Sequence, residues 1–193
     1  MKASTRILRW LSSPSLNLDK KTTSFLDLGT GNGEMLFLLR EEGGFEGSML
    51  GIDYSQQSVE HCRKLAEIRG LDAKDGLRFE VCDIMKGEDL DVGEGFDVVL
   101  DKGTFDAISL SDETDQDGRR LCEGYRQRVE RLVKNNGVLV VTSCNWTESE
   151  LKHWLSGGQL VLMDSLEYPV LRFGGQTGQS VCSVAFRRAS EYD

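Results

Sequence analysis

Histidine and paired cysteine are scarce in this sequence, which removes most routes to a metal site. The chain has two histidines and five cysteines, and no two cysteines form a C-x-x-C pair. Because a zinc site needs four such ligands at characteristic spacings, we expect no bound metal. The cysteines are odd in number and scattered along the chain, so they predict no disulfide framework. They predict reduced thiols that pack inside an intracellular, cytoplasmic protein.

Long apolar runs are missing as well. No stretch approaches the ~20 apolar residues that a membrane span requires. Arg6 and Arg9 interrupt the N-terminal stretch that would otherwise have to serve as the core of a signal peptide. We therefore expect no association with a membrane.

Positive charge is in deficit, with 23 lysines and arginines against 32 acids and a net charge of −9. Such a balance repels the phosphate backbone, so we expect no nucleic-acid partner. It suits a basic protein or a cationic substrate, because opposite potentials steer encounter. Solubility alone is the competing explanation of an acidic surface.

The 193 residues predict one domain, 1–193, in which residues 1–20 form an N-terminal helix and a polar lead-in. The segment 25–34, FLDLGTGNGE, then predicts a short strand, a tight glycine turn and the start of a helix. Glycine adopts positive φ at little cost, and a helix N-terminus offers free N–H donors to an anion. With Asp27 beside it, the turn suits a ligand that carries both an ammonium and a carboxylate group. A turn without a ligand is the alternative. The predicted loop residues are Gly29, Thr30, Gly31 and Gly33.

Five strand patterns alternate with helical patterns, which predicts a mostly parallel α/β sheet. The last two strand patterns, 160–166 and 180–186, have no helix between them, only a loop over 167–179. Two such strands predict an antiparallel hairpin at the edge of the sheet. Before them, we expect a helix over 121–134 that Asn136 and Gly137 close, and a strand over 138–143.

Acids follow the second, third and fourth strands at Asp53, Asp83 and Asp101. In parallel sheets ligands bind at these carboxyl ends, and an acid about 20 residues after the first glycine holds a ribose. Asp53, with Tyr54 beside it, would therefore bind a ribose diol, Asp83 an adenine amino group, and Ile84 the adenine ring. Each acid taken alone could instead be a turn residue or a helix cap.

The ligand that these acids predict is a nucleoside without phosphates, and it is not a dinucleotide such as NAD. Three acids would repel a phosphate, and the loop reads G-x-G-x-G rather than the dinucleotide fingerprint G-x-G-x-x-G. S-adenosylmethionine, a nucleoside with a cationic sulfonium and an amino-acid tail, fits both observations. The sequence therefore predicts S-adenosylmethionine as the cofactor.

Several stretches together resemble the elongation factor 1-alpha lysine methyltransferases of the seven-β-strand class. They are LDLGTGNG (26–33), GIDYS (51–55), CDI (82–84), DKGTFDAISL (101–110), TSCNWT (142–147) and FGGQTGQSV (173–181). The resemblance extends over about residues 4–187, and DKGTFDAISL with SCNWT is its most specific part. It implies a Rossmann-like class I methyltransferase fold, and it implies an enzyme that methylates a lysine of translation elongation factor 1-alpha. Family members usually carry a longer N-terminal segment, so this chain is expected to be shortened relative to them.

By the same resemblance, the glycines and the three acids line the cofactor site. Asp101 and Asn145 are expected to be catalytic, Asp101 by orienting the cofactor amino group or the incoming ammonium. Asn145 and Trp146 are expected to meet the substrate lysine, with core packing as the alternative for Trp146. We expect Asp106 to be a helix cap, and we expect a monomer. Two other functions compete: methylation of a small molecule by the same fold, and a catalytically silent S-adenosylmethionine-binding module.

Overall fold

The computed structural model of the protein describes residues 2–71, 73–86, 90, 92–169, 171–173, 176–178 and 181–190, with the backbone alone at 171–173 and 176–178. Within these residues the helices are α1 (Ala3–Leu11), α2 (Glu34–Glu41), α3 (Gln56–Ile68), α4 (Thr104–Leu110), α5 (Leu121–Leu132) and α6 (Glu148–Leu155). The strands are β1 (Phe25–Leu28), β2 (Met49–Asp53), β3 (Leu77–Val81), β4 (Phe96–Lys102), β5 (Val133–Ser143), β6 (Leu160–Leu166), β7 (Leu171–Phe173), β8 (Gln176–Gly178) and β9 (Cys182–Arg188).

Seven strands form one sheet in the order β3-β2-β1-β4-β5-β9-β6. Strands β1 to β5 pair in parallel, and β9 lies antiparallel between β5 and β6. This confirms the predicted mostly parallel sheet with an antiparallel C-terminal hairpin. The order reverses between β1 and β4, and at such a point the loops after the two strands diverge and leave a crevice.

The core lies on both faces of this sheet because successive strand residues point to opposite sides. Phe25 of β1 packs on the face that α1, α2 and α3 cover. Leu26, its neighbour, packs on the face that α4, α5 and α6 cover. Both side chains are fully buried, as expected for a parallel sheet between two helical layers.

Local sequence signals account for several helix boundaries. The Ser55 hydroxyl accepts a hydrogen bond from the Ser58 N–H at the start of α3. Thr147 and Glu150 form a capping box at the start of α6, with both reciprocal bonds present. These boundaries depend only on neighbouring residues in the sequence.

Two boundaries differ from the sequence prediction. The helix predicted over 121–134 ends at Leu132, and β5 already begins at Val133, which pairs with Phe96 across a register shift in β4. Asn136 therefore lies inside the strand at φ 63° rather than closing a helix. The loop predicted over 167–179 contains the short antiparallel pair β7–β8. Val170, Gly174, Gly175 and Gln179 of that loop, and Ser180 of the strand predicted over 180–186, lie outside the described residues.

The cysteines differ in burial. All five are free, and four are buried as predicted for packing residues, whereas Cys144 is exposed in the turn after β5. In the described part of the chain, no helix combines the length and the apolar composition that crossing a bilayer would need.

Candidate functional site

A cleft of about 210 Å³ opens at the carboxyl ends of β1, β2 and β4, where the strand order reverses. Its walls come from the glycine loop, from the segments after β2 and β3, and from the start of α4. The residues lining it are Gly29, Ile52, Asp53, Tyr54, Cys82, Asp83, Ile84, Lys102, Gly103, Thr104, Ala107 and Ile108. Five of the predicted site residues belong to this lining: Gly29, Asp53, Tyr54, Asp83 and Ile84.

The glycine loop is held in a conformation that side chains would disturb. Gly29, Gly31 and Gly33 have φ values of 58°, 56° and 74°. A Cβ on Gly29 would overlap the Thr104 hydroxyl, and one on Gly33 would lie 2.7 Å from the Phe37 ring. At Gly31 the nearest atom is 3.9 Å away, so this backbone faces open space that a ligand can fill.

Asp53 connects β2 to the glycine loop. Its Oδ2 accepts the Gly31 N–H at 2.9 Å and its Oδ1 accepts the Ser55 N–H at 2.9 Å. A carboxylate offers about four acceptor positions. Asp53 therefore keeps about one spare position on each oxygen while it lines the cleft.

Asp27 and Thr30 lie under the loop rather than in the cleft lining. The Thr30 hydroxyl donates to Asp27 Oδ2 at 2.8 Å, and both residues are buried. Burial raises the pKa of Asp27 to about 6, although the Thr30 hydrogen bond opposes this rise. Asp27 Oδ1 makes no hydrogen bond to any described residue, which leaves an acceptor beside the loop.

Asp83 and Ile84 form the wall that follows β3. Asp83 Oδ1 accepts the Met85 N–H at 2.9 Å, and Oδ2 lies 3.3 Å from the Lys86 ammonium. Arg128 of α5 donates to the Ile84 carbonyl at 3.1 Å and holds the segment against the helix. Tyr54 is 77% exposed at the mouth of the cleft.

Asp101, at the end of β4, is buried below the cleft lining. It is 1% exposed. Its Oδ1 accepts the Thr104 N–H at 2.9 Å, and its Oδ2 accepts the Phe105 N–H at 2.9 Å and the Tyr125 hydroxyl. Burial raises the pKa of Asp101 to about 7, and these hydrogen bonds limit the rise. These hydrogen bonds show that Asp101 anchors the start of α4. Its expected role toward cofactor or substrate stays a prediction, because Oδ1 accepts only one hydrogen bond among the described residues.

The turn after β5 carries the two residues predicted to meet the substrate. Asn145 is exposed, and its side-chain amide makes no hydrogen bond to any described residue. Trp146 is half-buried: its Nε1 donates to the Ser109 hydroxyl at 2.9 Å, and its ring lies 5.8 Å from that of Trp154. The tryptophan therefore packs against the core on one side, as the alternative expected, and keeps part of its surface open.

Asp106 also departs from its prediction as a helix cap. It is the third residue of α4, and its carboxylate accepts hydrogen bonds from Ser143 and Cys144 across the site. Sequence reasoning also missed the part of the lining that runs from the end of β4 into α4, namely Lys102, Gly103, Thr104, Ala107 and Ile108. The signal that could have found them is their position in DKGTFDAISL, directly after a strand that ends at the cleft.

Comparison with known proteins identifies the family of the chain. Residues 19–178 match the family described as Methyltransferase domain. The chain is 42% identical over 166 residues to the protein-lysine N-methyltransferase EFM4 of Saccharomyces cerevisiae. The aligned region covers 86% of this chain and 70% of EFM4. It is 35% identical over 184 residues to EEF1A lysine methyltransferase 2 of Homo sapiens, covering 95% of this chain and 72% of that one.

Among solved structures, a SAM-dependent methyltransferase from Methanosarcina mazei superposes with a TM-score of 0.66 at 15% identity. The match covers 91% of this chain and 96% of that one. At this identity the match concerns the fold alone.

The family match and the seven-stranded fold together define a methyltransferase of the Rossmann-like class, and this class uses S-adenosylmethionine as its methyl donor. Within that class, the chain belongs to the family of the EFM4 and EEF1A lysine methyltransferase 2 proteins.

Proposed function

We propose that this protein transfers a methyl group from S-adenosylmethionine to a lysine side chain of translation elongation factor 1-alpha. The observation that carries the proposal is the 33–42% identity over most of the chain to relatives whose names state protein-lysine or EEF1A lysine methylation. The cleft supports it because Asp53, in its lining, has acceptor positions that match the hydroxyls of the cofactor's ribose. We further propose that residues 1–193 act as one methyltransferase domain.

The cofactor assignment follows the free groups around the glycine loop. Asp53 has about one spare acceptor position on each oxygen, which suits the two hydroxyls of a ribose. Asp27 Oδ1 beside the loop suits the ammonium of the methionine tail, and the open backbone at Gly31 leaves room for that tail. Asp83 and Ile84, on the opposite wall, are assigned to the adenine.

On the substrate side, we assign Asn145 and Trp146 to the lysine. The free amide of Asn145 can accept a hydrogen bond from the amine, and the Trp146 ring can pack on the lysine stem or hold its cation. When bound, the cofactor supplies an electrophilic methyl group on its sulfonium. A lysine amine has a pKa of about 10.4, so it must lose its proton before it attacks. The chain's contribution is to hold the neutral amine in line, and such alignment supplies a large part of many rate enhancements.

We also propose that the protein works in the cytoplasm as a monomer, without nucleic-acid or membrane partners. Free thiols support the compartment, since reducing conditions keep cysteines unpaired. The net charge of −9 supports a basic protein substrate over a nucleic acid.

A methylation assay tests the function. The chain is incubated with methyl-labelled S-adenosylmethionine and either purified elongation factor 1-alpha or cell extract, and the labelled residue is located by mass spectrometry. Label on a lysine of the elongation factor is the expected result. Label confined to small molecules would indicate a methyltransferase that acts on small molecules instead of on the elongation factor. Cofactor binding without any labelled product would indicate a catalytically silent S-adenosylmethionine-binding module.

A further inference from the structure

Asp106 of α4 reaches across the site to the turn after β5, which we define as Ser143–Trp146. The Ser143 hydroxyl donates to Asp106 Oδ1 at 2.5 Å, and the Cys144 N–H donates to Oδ2 at 2.9 Å. Residues 106 and 143 are far apart in sequence, so no local signal predicts this contact. Both carboxylate oxygens are bound to this one turn.

Ser143 passes the constraint on to the next two residues. Its hydroxyl oxygen accepts the Asn145 N–H at 3.0 Å and the Trp146 N–H at 2.8 Å. A serine hydroxyl has one donor and two acceptor positions, so all of its capacity is used. Because Ser143 is 1% exposed, water cannot readily replace these partners. The backbone of the turn is thus fixed by a single connected set of hydrogen bonds.

The same short helix is fixed to the cofactor side of the cleft. Thr104, its first residue, donates its hydroxyl to the Leu28 carbonyl at 2.6 Å, directly before the glycine loop. Near its other end, Ser109 accepts the Trp146 Nε1–H at 2.9 Å. Helix α4 therefore joins the glycine loop to the Ser143–Trp146 turn, and a shift at either end changes the distance between them.

We infer that Asp106 and Ser143 are positioning residues for methyl transfer. They hold Asn145 and Trp146 at a fixed place relative to the cofactor cleft. Neither residue contacts the reacting groups, since the Asp106 oxygens and the Ser143 hydroxyl are already bonded within the protein. The inference rests on the proposed function, in which Asn145 and Trp146 meet the lysine. A misplacement of about 1 Å at such a site can cost roughly 100-fold in rate.

The variant Asp106→Asn tests this directly. Asparagine keeps the size, but its amide NH₂ must face either the Ser143 hydroxyl or the Cys144 N–H, so one hydrogen bond to a charged group is lost. Without that bond the turn is held less firmly, so we expect kcat/KM for the protein substrate to fall about 10- to 100-fold. The Kd for S-adenosylmethionine, measured by calorimetry, should stay within about twofold because Asp106 is not part of the cleft lining.

Hydrogen exchange supplies a readout that is independent of activity. The amides of Cys144, Asn145 and Trp146 are the donors in this hydrogen-bonded set, so their exchange should accelerate in Asp106→Asn while the amides of β5 remain protected. Ser143→Ala should reproduce both effects. Combined with Asp106→Asn, it should add little, because the two residues act through one connection. The matched control is Asp112→Asn, which makes the same charge change just beyond α4 at an exposed residue and should alter nothing.

Two results would overturn the inference in an active enzyme: unchanged kcat/KM and exchange in Asp106→Asn, or a loss of cofactor affinity that parallels the loss of rate. The second would indicate general destabilisation. Inactivity of the unmodified chain toward elongation factor 1-alpha would instead be a failure of the proposed function, and the unaltered protein in the same assay distinguishes the two.

Discussion

Asp53→Asn should weaken nucleoside binding by a predictable amount. In the folded protein the Asp53 oxygens accept the Gly31 and Ser55 N–H groups, and each has about one position left for a ribose hydroxyl. Asparagine replaces one oxygen with an NH₂ group, so one ribose hydroxyl loses a charged acceptor. At about 2 kcal/mol for such a bond, Kd should rise roughly thirtyfold.

The assay is calorimetry with S-adenosylhomocysteine and with its 2′-deoxy analogue, each against the unmodified chain and the variant. If Asp53 binds the diol, the variant's loss should shrink for the analogue, which lacks one of the two hydroxyls. Asp117→Asn is the matched control, because it makes the same charge change at an exposed residue away from the cleft. The ribose assignment is refuted if Asp53→Asn binds S-adenosylhomocysteine as tightly as the unmodified protein does.

Two further predictions concern the framework of the site. Tyr125→Phe removes a hydroxyl that favours the charged form of Asp101, whose folded pKa of about 7 lies above its ordinary value of 3.8. The stability linked to neutral Asp101 is lost as pH rises from about 4 through 7, and the variant, with a still higher pKa, loses more. Urea unfolding should therefore show a cost of about 1 kcal/mol at pH 5 and about 2–3 kcal/mol at pH 8, and equal costs at both pH values would contradict this. Gly29→Ala combines positive φ with overlap on the Thr104 hydroxyl and should cost about 3 kcal/mol, whereas Gly70→Ala, with positive φ in open space, should cost about 1 kcal/mol. Similar unfolding midpoints for the two alanine variants would argue against the overlap.

Several features of the site could be predicted because their causes are local. Glycines at positive φ followed by a helix start predicted the loop, and an acid at the carboxyl end of β2 predicted the place of Asp53 at the cleft. The parallel sheet followed from alternating strand and helix patterns, since parallel strands need such crossovers. In each case the determining residues lie within a few positions of one another or repeat with a regular period.

Features that depend on distant partners escaped prediction. The sequence shows Asp101 after a strand, but only the packing of α5 against β4 brings Tyr125 to its carboxylate and buries both. Asp106 resembles a helix cap until β5 places Ser143 within 2.5 Å of it. The early start of β5 likewise depends on Phe96, its partner on β4.

The sequence by itself therefore determined most of the strands and helices and the mostly parallel sheet, and it predicted a nucleoside site at the strand ends. These conclusions follow from local propensity, periodicity and chain connectivity. Only the tertiary structure decided that β9 lies between β5 and β6, that Asp101 faces inward and that Asp106 holds the Ser143–Trp146 turn. Such choices are made by burial and by hydrogen bonds between residues far apart in the chain, and these interactions exist only once the layers have packed.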